Sequence, residues 1–186
     1  MATGLKSKET NILWLSDNVD SLEGLQAVYS RFFSLQNNPK VPWILLNVCC
    51  DGSQDSRYSA AILTLLLSST KPFKTQVMTS AVSYGLIFAC VGAERVSWPD
   101  AEFMHHSFQL ETPTMSLEDL DAILRRTKKS EKKSLDFMKK QMGDVSFRNF
   151  INDFKKNGSK DMDFDATKAL EYNIVHEIGI IQPLFI

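Results

Sequence analysis

The chain has 186 residues, 44% hydrophobic, 10% aromatic and 23% charged, the balance of one compact domain with enough apolar mass for a core. Its 21 Lys and Arg against 22 Asp and Glu leave a net charge of −1, which argues against the positive field that accompanies nucleic-acid or anionic-membrane binding. The longest nearly apolar stretch, Ala60 to Leu67, is short and broken by Thr64, and the polar segment Met1 to Asn11 leads into no secretory apolar core, so a cytoplasmic protein without a membrane span is expected.

The first strand is predicted at Ile12-Leu13-Trp14-Leu15, followed by a turn at Ser16 to Asn18 and a helix capped by Asp20, with Glu23 as the capping-box acceptor. Leu22, Leu25, Val28, Tyr29, Phe32 and Leu35 recur at helical spacing, and Asn37-Asn38-Pro39 ends the run. Val41 to Val48 is too apolar to be half-exposed and reads as a strand buried on both faces. Cys49, Cys50 and Cys90 make an odd count with no CxxC spacing, so they are expected to be small buried hydrophobes, not a disulfide framework or a zinc site.

A second helix is predicted from Ser56 to Leu67 and a third strand from Thr75 to Thr79. A tight turn at Ser80 to Gly85 then leads into a short apolar helix, Leu86 to Val91. Strands around Arg95 to Trp98 and Glu102 to Ser107 flank Pro99-Asp100. This repeated alternation predicts an α/β fold with parallel pairing, whose sites gather where the strands end. Ser116 to Met142 reads as a long amphipathic helix with a stripe of Leu117, Leu120, Leu124, Leu135, Met138 and Met142 beside a lysine-rich face. Such a helix would project from the domain and need a partner for its stripe. The tail is read as a helix from Asp165 to Tyr172 and a strand from Ile174 to Ile181.

Residue types required for acyl transfer stand in loop positions. Ser83 falls at a strand-to-helix turn, where its hydroxyl and the amide of Tyr84 would face one spot as nucleophile and oxyanion donor. His106 ends a short strand, and Asp161 follows Asn157-Gly158-Ser159. A serine needs a base to take its proton, and the base needs a carboxylate to fix its tautomer. Spacing alone does not select this trio among the many serines and carboxylates of the chain.

Thr79-Ser80-Ala81-Val82-Ser83-Tyr84-Gly85, then Gly92-Ala93, then Pro99-Asp100-Ala101-Glu102-Phe103-Met104-His105-His106 resembles the signature of the Clp protease proteolytic subunit, the ClpP family. Asp51-Gly52-Ser53 is similar to the family's oxyanion loop, and Asp161-Met162-Asp163-Phe164-Asp165-Ala166 followed by Ala169-Leu170-Glu171-Tyr172-Asn173-Ile174-Val175 to its Asp-containing end segment. The resemblance runs in order from about Ile12 to Ile178. It implies a ClpP/crotonase-like fold of repeated β-β-α-type units with a parallel sheet, as a single domain over residues 1–186, with residues 116–142 as a protruding handle helix between stacked seven-membered rings. It also implies Ser83 as nucleophile, His106 as general base, Asp161 as orienting carboxylate, and the backbone amides of Gly52 and Tyr84 as oxyanion hole.

The chain departs from the family pattern at four places. Cys49-Cys50-Asp51-Gly52 replaces Ser-Pro-Gly-Gly, setting the Asp51 carboxylate beside the oxyanion loop, and Tyr84 replaces Met. Ser107-Phe108 replaces Gln-Pro in a segment expected to pair with substrate, and Asp163 stands at an aromatic position, so Asp163 and Asp165 rival Asp161. His105 and His176 are expected outside the site. With residues 1–11 as a short leader, dependence on an AAA+ unfoldase is expected to be weak or absent, although the resemblance implies such a partner.

The resulting expectation is a serine endopeptidase that hydrolyses peptides or unfolded proteins inside a homo-oligomeric ring chamber. It would need no metal or organic cofactor, and no GxxxxGK[ST] loop is present for ATP. A catalytically weak structural ring subunit is the alternative, followed by an acyl-CoA enzyme of the crotonase fold.

Overall fold

The computed structural model describes residues 10–51, 56–107 and 116–186. Its strands are β1 (Ile12–Leu15), β2 (Ile44–Cys50), β3 (Phe73–Val82), β4 (Glu94–Ser97), β5 (Glu102–His105), β6 (Met162–Asp165) and β7 (Glu177–Ile178). The helices are α1 (Leu22–Asn37), α2 (Ser56–Leu67), α3 (Tyr84–Ala89), α4 (Leu117–Met142), α5 (Asp144–Lys156) and α6 (Ala166–Glu171). A 3₁₀ turn, Asp17–Asp20, precedes α1. The mixed α/β class and parallel pairing expected from the alternation are found.

The sheet runs β1-β2-β3-β4-β7 with every pair parallel. β3 serves two further neighbours in succession. Its first half, Lys74 to Val77, pairs with β4, and its end, Ser80 to Val82, pairs in parallel with β5, which carries β6 as an antiparallel edge. The sheet therefore forks along β3, and the chain leaves β3 for α3 on the β5 branch. β2 is a nearly continuous apolar run because helices and neighbouring strands cover both of its faces, whereas β3 alternates apolar Phe73, Val77 and Ala81 with polar residues, of which Thr75 and Gln76 are buried. Leu13, Leu15, Ile44, Leu46, Val48, Val77 and Ala81 meet Val28, Phe32 and Leu35 of α1 and Ile62, Leu65 and Leu66 of α2 in one core.

Four local readings are corrected. Ser21, not Asp20, caps α1, its hydroxyl accepting from Gly24 N at 3.0 Å, because Asp20 is taken up by the 3₁₀ turn. β3 is longer than predicted at both ends. The final strand shrinks to two residues, since Ile174 and Val175 are buried in turn backbone that bonds to Arg95 instead of a neighbouring strand. A whole helix, α5, follows α4 after Gly143, whose φ of 83° lets the chain break direction there.

α5 is held by rings. Phe150 packs on Phe164 and Tyr172 edge to face at 6.3 and 5.3 Å, and Phe103 stacks on Phe164 at 5.6 Å. The far end of α4 is docked by polar contacts: Arg95 donates to Gln141 O and Asn173 Nδ2 donates to Met142 O, with Met138 and Met142 buried beneath. Towards its start α4 is less enclosed, and Leu124 of the apolar stripe is exposed. Cys50 and Cys90 are buried as expected, whereas Cys49 is half-exposed with its Sγ 2.7 Å from Thr79 Oγ1. No helix among the described residues is long and apolar enough to cross a membrane.

Candidate active site

Ser83 is the residue between β3 and α3, and its backbone is strained: φ is 56° and ψ −115°, a region L-residues rarely occupy. Two features impose that geometry. Ser83 N donates to Met104 O of β5 at 3.0 Å, continuing the β3–β5 ladder one step past the strand, while Leu86 N already bonds to Ser83 O at 3.2 Å as the first turn of α3. Two residues on, Gly85 lies so close to β2 that a Cβ there would stand 2.6 Å from Cys50 O. Only glycine allows α3 to start this close to the end of β2, so Ser83 must complete the whole change of direction. Its side chain makes no cap bond.

Ser83 and His106 line one narrow cavity of about 20 Å³, together with Tyr84, Ile87, His105 and, from α4, Glu131, Ser134, Leu135 and Met138. His106 follows the end of β5, where its Nδ1 donates to Ser107 O at 2.8 Å. A carbonyl can only accept, so Nδ1 carries the proton in this bond and the lone pair of the neutral ring lies on Nε2, the atom a general base uses. His105 is in a different position. Its ring packs against Phe150 and Phe154 at 5.0 and 4.5 Å, and burial, followed by the neighbouring His106, pushes its pKa down to about 4. It is a neutral packing residue at the wall of the cavity.

Asp161 stands at the β6 side. The antiparallel register pairs His105 with Met162, so one step further brings His106 opposite Asp161, just past the paired residues. Asp161 is exposed and lines a separate, open cavity of about 550 Å³ with Asp153, Lys156, Asp163 and Lys168. Among the described residues no hydrogen bond joins Ser83 to His106 or His106 to Asp161. Of the rival carboxylates, Asp165 already caps α6, its Oδ1 accepting from Lys168 N at 2.8 Å, and Asp163 lies opposite Met104.

Tyr84 is the first residue of α3, and its amide directly follows Ser83. Its buried ring sends the hydroxyl to Ser130 Oγ of α4, 3.4 Å away. Gly52 lies outside the described residues. Asp51 is exposed, just past the end of β2, whose last residue, Cys50, abuts Gly85.

Sequence reasoning missed the part α4 plays here. It treats that helix as a projection, whereas Glu131, Ser134, Leu135 and Met138 wall the Ser83 cavity. The available signal was the pair of small residues, Ser130 and Ser134, one turn apart within a stretch of long charged side chains.

Comparison with known families agrees with this architecture. A family model described as Clp protease matches residues 6–182, nearly the whole chain. The chain belongs to the Clp protease family and, with it, to the peptidases that act on peptides as oligomers. A search of curated proteins finds no match.

Proposed function

We propose that the chain is a serine endopeptidase whose nucleophile is Ser83, whose general base is His106 and whose orienting carboxylate is Asp161. The observation that carries the reading is the shared cavity: a serine in a strained turn between strand and helix and a histidine with Nε2 free to accept a proton line the same walls. Ser83 Oγ attacks the peptide carbonyl as His106 Nε2 takes its proton. The tetrahedral oxyanion is held by the amides of Tyr84 and Gly52, and His106 returns the proton to the leaving amine. Water then repeats the sequence on the acyl-enzyme. In the free protein Ser107 O holds the Nδ1 proton, and Asp161, one register step across the β5–β6 pair, takes it over when substrate is bound, since catalytic contacts tighten in the complex.

Labelling by a fluorophosphonate probe tests the nucleophile. Labelling that disappears in Ser83→Ala is expected, and labelling that survives it overturns the assignment. Asp161→Asn is expected to lower kcat by ~10²–10⁴-fold through loss of the correct tautomer. An equal or larger loss in Asp163→Asn with Asp161→Asn unaffected would transfer the role.

A second reading, a ring subunit that assembles but cleaves poorly, is favoured by the absence of a Ser83–His106 hydrogen bond among the described residues. It predicts no Ser83-dependent labelling in a correctly assembled particle. The assembly itself, homo-oligomeric stacked seven-membered rings, rests on the family resemblance, and its cytoplasmic location on the absence of a secretory apolar core from the sequence. Light scattering at several times the chain mass supports the assembly, and a monomer overturns it.

A further inference from the structure

Beside the Ser83 cavity lies a larger one, of about 460 Å³, between α2 and α4. Its two walls differ in chemistry. α2 contributes Ala60, Leu63 and Leu67, spaced i, i+3, i+7 and therefore on one apolar face. α4 contributes Arg126, Lys129 and Lys133, with the same spacing and three positive charges. No acid lines this cavity, and among the described residues no carboxylate pairs with any of the three cations. Elsewhere on α4, Arg125 is paired with Asp121 and Lys139 with Asp144, while Lys128, Lys132 and Lys140 have no ion pair among the described residues and lie outside this cavity. Glu131, on the same helix, faces the Ser83 side instead. The bases opposite α2 are thus a local concentration of uncompensated charge in a chain whose net charge is only −1.

The two cavities are continuous in their lining. Tyr84 and Ser134 belong to both, and Tyr84 directly follows the proposed nucleophile. To reach this cavity, a side chain of a peptide held at Ser83 would pass the Tyr84 ring, meet the apolar face of α2 along its methylenes and end at the α4 bases. That sequence of surfaces matches glutamate, with an aliphatic stem and a terminal carboxylate. A free inorganic anion would make no use of the Ala60, Leu63 and Leu67 wall, and a purely aliphatic side chain would leave the three cations without a counter-charge.

We infer that this cavity is a specificity subsite for an acidic substrate side chain next to the scissile bond, with Arg126, Lys129 and Lys133 as its specificity-determining residues. The inference rests on the reading of Ser83 as nucleophile and adds the substrate class. Charge-assisted bonds from these bases favour glutamate over its neutral isostere by about 10- to 100-fold.

The test uses the assembled protein and four fluorogenic peptides identical except for Glu, Gln, Leu or Lys on the N-terminal side of the scissile bond, with fluorophosphonate labelling run in parallel. Support is a kcat/KM for Glu about 10- to 100-fold above Gln that falls as salt rises, and a Glu/Gln ratio near one in the double variant Lys129→Gln, Lys133→Gln. A further variant, Lys133→Glu, is expected to turn the preference toward a Lys-containing peptide, and circular dichroism confirms that each variant is folded. Ser83-dependent labelling with a wild-type Glu/Gln ratio of one or less overturns the subsite alone, as does a ratio that survives the double substitution. Absence of both labelling and cleavage overturns the Ser83 reading and the subsite with it.

Discussion

Along its first half β3 runs between β2 and β4, and the turn before β4 presses against it so closely that a Cβ on Gly92 would stand 2.6 Å from both Thr75 N and Thr75 Oγ1. Arg95 of β4, only 3% exposed, donates from Nε to Ile174 O at 2.8 Å, from Nη1 to Gly92 O at 3.2 Å and from Nη2 to Gln141 O and Asn173 O at 3.2 and 2.8 Å. At its other end β3 runs into Ser83, with a φ of 56° and no cap bond from the side chain. The first end has a buried charge surrounded by acceptors that it satisfies. The second has a distorted residue and a histidine with one unshared nitrogen. One strand thus joins the region that stabilises the fold to the region that spends stability on a reactive geometry, which is the usual division between scaffold and site.

The largest effect is expected at the scaffold end. Arg95→Met removes four donors at once and leaves buried carbonyls on the Gly92 turn, the end of α4 and the turn before β7, so urea unfolding should report a loss of about 3–5 kcal/mol. A loss under 1 kcal/mol would mean that water or backbone shifts satisfy those carbonyls.

His105 sharpens the comparison from the site end. Its folded pKa, about 4, lies below the ordinary histidine value of 6.5, so the folded state binds fewer protons than the unfolded chain between those values. Stability is complete above pH 6.5 and falls as pH drops toward about 4, by up to ~3 kcal/mol. Thermal melts from pH 7.5 to 4.5 should show this slope, and His105→Phe, which keeps the ring contacts, should flatten it. An unchanged slope in His105→Phe would assign it to other groups.

The smallest effect tests the strain itself. Ser83→Gly should raise stability by about 1 kcal/mol, since glycine occupies positive φ without penalty, while removing probe labelling. A destabilised Ser83→Gly would contradict the picture of a strained turn imposed by its neighbours.

Much of this was legible in the sequence wherever local pattern and tertiary packing agree. The helix expected over Ser56 to Leu67 is found with those bounds, and Ser83 is found at the start of a helix because Gly85 and the apolar residues after it have few other uses. β6 was not legible: Met162-Asp163-Phe164-Asp165 has no strand propensity beyond alternation and becomes a strand by pairing with β5. α5 was legible but passed over, since Phe147, Phe150, Ile151 and Phe154 recur at helical spacing directly after Gly143. For the site, residue identity came from the resemblance, because the acid, the base and the serine lie far apart in sequence. The Ser107 carbonyl on His106 leaves no mark in composition or spacing, and the wall supplied by α4 left only the Ser130 and Ser134 pair.

The three cysteines have an experimental use that follows from their burial. Cys50 and Cys90 are enclosed, and burial pushes the Cys90 thiol up to about 12, so thiolate chemistry near neutral pH is directed to Cys49. Because successive residues of a strand face opposite ways, a maleimide dye or nitroxide on Cys49 would occupy the face away from Cys50 at the end of β2. The native chain therefore offers a single-address reporter two residues before Asp51 without any engineered cysteine.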